Sequence, residues 1–368
     1  MLAWAFQVAV VTVVVAVVWY LVGNYQENAA AKNLTTGFGF LDQPSGFPIP
    51  DSTFRQTQRV RDALFEGFLN TLRLAVTGIL LATVLGTLIG IARLSTNFVL
   101  RNVARAYVEI VRNVPLLALV LLSLSIIQTV FPPPQDTWDL GPLTVSNVRG
   151  TSIFWYEGDN GKFLVVVVAA FIAIAAVARW RRAVADRTGH PARTALWALP
   201  IGAAVTVVAW IVVGLGATAP ELDGRRVTGG ITLTASYLAA LLALVAYTSS
   251  HIAEIVRGSI QAVPKGQGEA ADALALSGFQ RMWNVILPQS MRIGLLPIGN
   301  QYLNLLKNSS LAAVITFPEL TQVTKLAVAT RAPAVPSFVL LLLIYLAMSL
   351  VISLIVNLVN RRLRIVER

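Results

Sequence analysis

The chain is 368 residues long, 56% hydrophobic and only 13% charged, with a mean hydropathy of +0.69. A soluble domain covers its surface with about 25% charged residues, so lipid is the better solvent here. There is no cysteine, and His190 and His251 are the only histidines, which excludes disulfides, thiolate metal centres and a His/Cys zinc site.

A spanning helix needs about 20 mostly apolar residues. Eight runs qualify: Leu2–Val22, Phe68–Ala92, Val114–Phe131, Phe163–Ala178, Leu196–Ala217, Leu233–Ile255, Ile293–Thr316 and Phe338–Val359. The fold class expected is all-α, a polytopic membrane bundle of about eight transmembrane helices. The first run is read as a retained helix. A signal peptide is the alternative, with Ala29–Ala31 as small residues near a cleavage site, but a basic n-region is missing and the run is long.

The segment from Gly23 to Gly67 is polar and rich in Gly and Pro, and is expected to form a small cap or a loop with short helices. Residues 1–67 are therefore set apart as one helix plus a long outer, periplasmic segment, and 68–368 as the transmembrane domain. In the second span Gly78, Ala82, Gly86 and Gly90 recur every four residues. This small face admits another helix closely, either in the same chain or in a second subunit. Arg112-Asn113-Val114-Pro115 reads as a helix start, with Pro in the first turn, or as part of a gate. The segment Pro132–Lys162 carries Trp138, Trp155 and Tyr156, aromatics suited to the membrane interface. Gly158-Asp-Asn-Gly-Lys-Phe163 is not a phosphate loop, because the spacing is short and no hydroxyl follows the lysine. There is no internal repeat.

Glu254 and Arg257 stand one helical turn apart and read as a structural pair. Segment 258–290 is long for an inner loop. Pro264 and Gly266–Gly268 are expected to break the preceding helix, Glu269 to begin a new one with an acid at its positive end, and Gly278 to end it. Ala270, Ala271, Leu274 and Ala275 would form a small apolar face. A short exposed helix cannot bury such a face alone. It suits a groove on a soluble partner, or else the membrane surface. In the seventh span Asn300, Asn304, Lys307 and Asn308 share a stripe, with Gln301 and Ser309 beside it. Polar groups in hydrocarbon must face protein or water, so the stripe is expected to face the bundle interior. It would contact substrate, bond backbone at a broken helix, or let Lys307 snorkel. His251 reads as a core histidine or as part of the same path.

Lys and Arg are retained on the cytoplasmic side. With the N-terminus inside, inner segments hold Arg93, Arg101, Arg105 and Arg112, then Arg179, Arg181, Arg182, Arg187 and Arg193, then Arg257, Lys265, Arg281 and Arg292, and finally Arg361, Arg362, Arg364 and Arg368. The formal charge of +11 thus gathers on one face. This is explained by an N-in, C-in, multi-pass protein and calls for no nucleic acid.

Segment 258–290 resembles the EAA loop of ABC importer permeases, with Glu269-Ala270-Ala271 and Leu287-Pro288 at the family spacing, Ala275 where Gly is usual and Val285 in place of Ile. Asn70-Thr71-Leu72, Glu109 to Leu117, Glu254-Ile-Val-Arg-Gly258 and Leu305-Leu-Lys-Asn-Ser-Ser-Leu311 resemble the polar amino-acid branch. Thr36-Gly-Phe-Gly-Phe-Leu41 and the eight spans resemble general L-amino-acid permease subunits. The resemblance implies a type I importer-like permease core in a bacterial inner membrane. Gly268, Glu269, Ala270, Ala271, Leu274, Ala275 and Gly278 would dock into an ATPase dimer. It further implies a second permease subunit, a homologue by family branch, an extracytoplasmic substrate-binding protein and an amino-acid substrate. ATP and Mg would be held by the partner ATPase, with no cofactor and no enzyme activity on this chain. The alternatives are an ion-coupled secondary transporter, which requires acidic residues within spans, a structural membrane subunit, or an importer permease for another small polar solute.

Overall fold

The computed structural model describes residues 2–31, 36–50, 52–157, 159–188, 194–224 and 226–363. Gly158, His190, Arg193, Arg364 and Arg368, which entered the sequence arguments, lie outside the described residues. Two compact units form, one from residues 1–125 and 236–368, the other from 126–235.

The first unit holds α1 (Leu2–Ala31), α2 (Val60–Ala92), α3 (Phe98–Asn113), the start of α4 (Leu116–Val130), and everything after residue 235. α1 is exposed along nearly its whole length. α2 begins about two turns before the expected Phe68, because the Arg59 N–H donates to the Asp62 carboxylate at 3.3 Å and starts the helix early. Its buried positions, among them Thr71, Leu74, Ala75, Gly78, Ala82, Gly86 and Gly90, follow helical spacing. A β-carbon on Gly86 would lie 2.7 Å from Ile252 Cβ, and one on Gly90 2.8 Å from the Ala253 carbonyl oxygen. At Gly78 the neighbour is the Leu305 side chain, at 3.3 Å. The small-residue face is thus used within the chain, against helices 235–261 and 287–308. Thr77–Tyr237 (2.8 Å) and Thr83–Tyr302 (2.9 Å) hydroxyl pairs add polar ties between the same elements.

Residues 98–113 form a helix where only an inner segment is expected. Arg112 and Asn113 end α3, Val114 is extended, and α4 leaves at 109°. The Arg112–Pro115 motif is therefore a corner between two helices. Ahead of α2, a Pro44–Arg59 bridge closes a loop, with a 3₁₀ turn at Gly39–Asp42 and Phe40, Phe47 and Ile49 buried.

Among the described residues the second unit contains the rest of α4, two helices and eight short strands. α5 (Asn160–Thr188) and α6 (Thr194–Val213) pack side by side. α5 runs well past Ala178, where the apolar run ends, because Arg179, Arg181 and Arg182 are good helix formers that end the hydropathy signal without ending the helix. The Arg181 guanidinium sits 5.5 Å from the Trp197 ring. Strands β1 (Trp138–Asp139), β2 (Thr144–Asn147), β3 (Gly150–Ile153) and β8 (Ile231–Thr234) form an antiparallel sheet in that order. Two small ladders pair β4 (Trp155–Glu157) with β5 (Gly216–Thr218), and β6 (Glu221–Asp223) with β7 (Arg226–Thr228). These strands decorate an otherwise helical protein, in which the expectation leaves loops.

Back in the first unit, α7 (Ala235–Gln261) is the most buried span, and α8 (Lys265–Ala273) and α9 (Gly278–Arg281) follow it. A π-helical turn over Met282–Ile286 leads into α10 (Leu287–Asn308). A 3₁₀ stretch at Ser309–Ile315, α11 (Leu320–Thr330) and α12 (Ala334–Leu363) complete the chain. Among the described residues six helices are long and apolar enough to cross a membrane, and eight spans result if each of two bent pairs counts as one. The second bent pair is the seventh span, which turns by 48° between Ile315 and Leu320.

Candidate functional site

The inner segment folds from its breaker outward. Pro264 caps α8, which starts at Lys265 and not at Glu269, so Gly266 and Gly268 lie inside the helix. Proline at the boundary is enough to stop α7, since it lacks the N–H that a continuing helix needs. The helix ends at Ala273 and is terminated by Ala275, not by Gly278. Ala275 has φ +58°, Leu276 N–H donates to the Ala271 carbonyl at 3.1 Å and Ala275 N–H to the Asp272 carbonyl at 2.9 Å. This is the double bond pattern of a left-handed helix terminator, a position that favours glycine. Ala275 stands at the place where the resembled family carries Gly, and the reason is backbone conformation as well as size. Gly278 instead opens α9, whose cap is Ser277, accepting from Gln280 N–H at 3.3 Å.

The expected apolar face divides. Ala271 turns inward and is 2% exposed, while Glu269, Ala270 and Ala275 are exposed and Leu274 is 74% exposed. Gly268 is half-buried. Arg281 clamps the helix through Asp272, with both carboxylate oxygens at 2.8–2.9 Å, and Gln289 donates to Gln267 at 3.0 Å. Phe279 and Trp283 stack beside it with ring centroids 6.1 Å apart, and both are exposed. The result is a short helix, fastened by Arg281 and Gln289, that presents an acid and a bare leucine.

The polar stripe departs from expectation. Asn300, Asn304 and Lys307 are exposed on α10, and Gln301 and Asn308 are half-buried. The inward positions are Leu305 and Leu306, at 0% and 1% exposure. Three- and four-residue spacing fixes which residues share a face, but not which face meets the chain's own core. Here the apolar face meets it. Among the described residues no side-chain hydrogen bond or ion pair is formed by any of these five. His251 belongs elsewhere. Its Nδ1 lies 2.9 Å from the Tyr247 carbonyl oxygen, and it lines a cleft of about 460 Å³ with Arg93, Glu109, Arg112, Asn113 and Glu254. Glu254 is the hub there, paired with Arg93 and Arg257 and 3.7 Å from Arg112. The expected Glu254–Arg257 pair is one edge of this cluster.

A second polar node has no counterpart in the sequence reading. Glu319 is fully buried at the head of α11, where its carboxylate accepts from the N–H groups of Thr321 and Gln322, both at 2.8 Å, and from the Tyr345 hydroxyl at 2.9 Å. Asn70 donates to the Pro318 carbonyl at 3.0 Å, and Leu320 N–H donates to the Thr71 hydroxyl at 3.0 Å. The broken seventh span is thus tied to α2 and α12. Phe317-Pro318-Glu319 ahead of an apolar-periodic run is a readable helix-start signal; an apolar window passes over it.

Residues 165–365 match the family described as the inner membrane component of binding-protein-dependent transport systems. AapQ of Rhizobium johnstonii, a general L-amino acid transport system permease protein, is 36% identical over 99% of this chain and 92% of its own length. YhdX of Escherichia coli, a putative amino-acid ABC transporter permease protein, is 36% identical over 100% of this chain and 95% of its own. BztB of Rhodobacter capsulatus, a glutamate/glutamine/aspartate/asparagine transport system permease protein, is 33% identical over 98% and 93%. With its multi-pass helical build and this match, the chain belongs to the family of inner membrane permease components of binding-protein-dependent transport systems.

Proposed function

We propose that the chain is one permease subunit of an ATP-driven amino-acid importer and that α8 is its point of attachment to the ATPase. The observation that carries this is the exposed α8 face, where Glu269, Ala270 and Leu274 stand clear while Asp272–Arg281 holds the helix in place. ATP and magnesium would sit on the separate ATPase, whose closure moves α8 and with it the ends of α7 and α10. No cofactor is required on this chain. The amino-acid cargo is supported by three relatives named for amino-acid transport or transporters, each aligned over 98–100% of this chain.

The exposed stripe on α10 supports a second permease subunit, a homologue by family branch. Asn300, Asn304 and Lys307 cannot face lipid cheaply, so a partner helix or a water-filled path between two subunits would cover them. Lys307 would offer a cation to the amino-acid carboxylate. A substrate-binding protein would deliver the cargo to the outer loops, and the gathering of arginine on one side supports an N-in, C-in arrangement.

An ion-coupled secondary transporter needs an acidic residue in the membrane that can exchange partners, and Glu319 is the candidate. Its three accepted hydrogen bonds cap a helix and bind a tyrosine, which favours a structural role. The test is copurification with the ATPase, followed by uptake of labelled L-amino acids into proteoliposomes carrying the assembled transporter. Glu269→Lys is expected to abolish ATPase association and ATP-dependent uptake. Retention of both would overturn the reading of α8, and uptake driven by an ion gradient alone would overturn the importer itself.

A further inference from the structure

α3 has three faces. Ala104 and Val108 are buried against the unit. Val99, Val103 and Ile110, at offsets of four and seven, are 63–67% exposed, and Phe98 is 68% exposed. Arg101, Arg105 and Arg112, again at offsets of four and seven, form the third. A helix turned 109° from its neighbouring span, with bare apolar residues on one side and arginines on another, has the build of a helix lying at the membrane surface.

A cleft of about 380 Å³ opens beside it. It is lined by Arg93, Arg101, Arg105 and Arg257, with the turn Leu94–Thr96 and Gln261, and no carboxylate lines it. Arg93 and Arg257 both reach Glu254 on its far side, so one acid is shared between them. Arg101 is held in place, donating to the Ser95 carbonyl at 3.1 Å, with its guanidinium 6.0 Å from the Phe98 ring centre. Among the described residues Arg105 has no ion-pair partner. The cleft therefore keeps a net positive charge, and planar guanidinium groups match phosphate oxygens in pairs.

We propose that this cleft binds the phosphate of an anionic glycerophospholipid, whose acyl chains run over the exposed Phe98, Val99 and Val103. Free phosphate has the same head-group chemistry but no use for that apolar side, which is why the lipid is favoured. Both leaflets carry glycerophosphate, so the site holds whichever side the N-terminus occupies.

Native mass spectrometry of the purified full chain in detergent tests this, with dioleoyl-phosphatidylglycerol, dioleoyl-phosphatidylcholine or inorganic phosphate added in turn. Phosphatidylglycerol is expected to bind in preference to phosphatidylcholine. Arg101→Ala with Arg105→Ala should weaken it by about thirtyfold, the effect of two basic contacts near a membrane surface. Arg101→Lys with Arg105→Lys should retain most of the binding, which separates lost charge from lost fold, and size-exclusion elution checks the fold directly. Three results would overturn the proposal. The first is phosphatidylglycerol binding unchanged in the alanine pair. The second is an equal loss in Arg59→Ala with Arg61→Ala, at the opposite end of α2 from Arg93. The third is inorganic phosphate binding as tightly as the lipid with the same arginine dependence, which assigns the cleft to the free anion.

Discussion

At Ala275 the backbone enters the left-handed region with a methyl group attached, which costs roughly 1–2 kcal/mol relative to glycine. Ala275→Gly should therefore firm the end of α8 without touching its exposed face. Hydrogen exchange at residues 265–276 is expected to slow, and unchanged or faster exchange would show that the strain is relieved elsewhere. Glu319 poses the opposite case. Glu319→Ala removes one acceptor from two backbone N–H groups and a tyrosine hydroxyl in a buried site, a loss of roughly 1–3 kcal/mol or more. The thermal midpoint of the purified chain should fall clearly, and Glu319→Gln should recover part of the loss because its amide oxygen still accepts. Equal midpoints for the alanine and glutamine variants would refute the capping role.

Among the elements, α2 offers a graded test. At Gly86 and Gly90 a new methyl group meets backbone carbonyls and branched β-carbons that cannot retreat, whereas at Gly78 it meets only the far end of Leu305. Overpacking of the first kind costs typically 1–3 kcal/mol. Gly86→Ala should lower the yield of monodisperse protein in detergent while Gly78→Ala leaves it nearly intact, and equal outcomes would mean that α2 does not approach α7 so closely. The four-residue spacing of small side chains made this face legible in the sequence, though not its partner. The same holds for α8: proline, acid and small apolar residues announced a helix, but its limits depended on Pro264 as the cap and on one dihedral angle at Ala275. α3 was missed because its amphipathic pattern is too polar for an apolar window, and the strands because runs of two to four residues leave almost no periodicity.

For the whole molecule, hydropathy and the placement of arginine were enough for a multi-pass helical protein of about eight spans, a number reached among the described residues only when each of two bent helix pairs counts as one span, and the bends themselves left no mark in the apolar window. Hydropathy and arginine placement could not say which residues of α10 look outward, since residue spacing fixes the members of a face and not what that face meets. The absence of cysteine turns that gap into an experiment. Asn304→Cys introduces a single thiol, which should react readily with a water-soluble maleimide in the separated chain and be shielded in the assembled transporter. Equal labelling rates would place the subunit contact elsewhere.

The knot around Glu319 also has a history in time. Asn70 and Thr71 find their partners, Pro318 and Leu320, only 248 and 249 residues further along the chain. At ribosomal speeds of about 5–20 residues per second, α2 waits roughly 12–50 s after its own synthesis before those groups are available. Through that interval two polar side chains of a spanning helix stand without their final bonds, while the entire 126–235 unit is made and inserted. Nascent chains halted before Pro318 should therefore be handed to quality control as unfinished, and chains released after α12 should escape it.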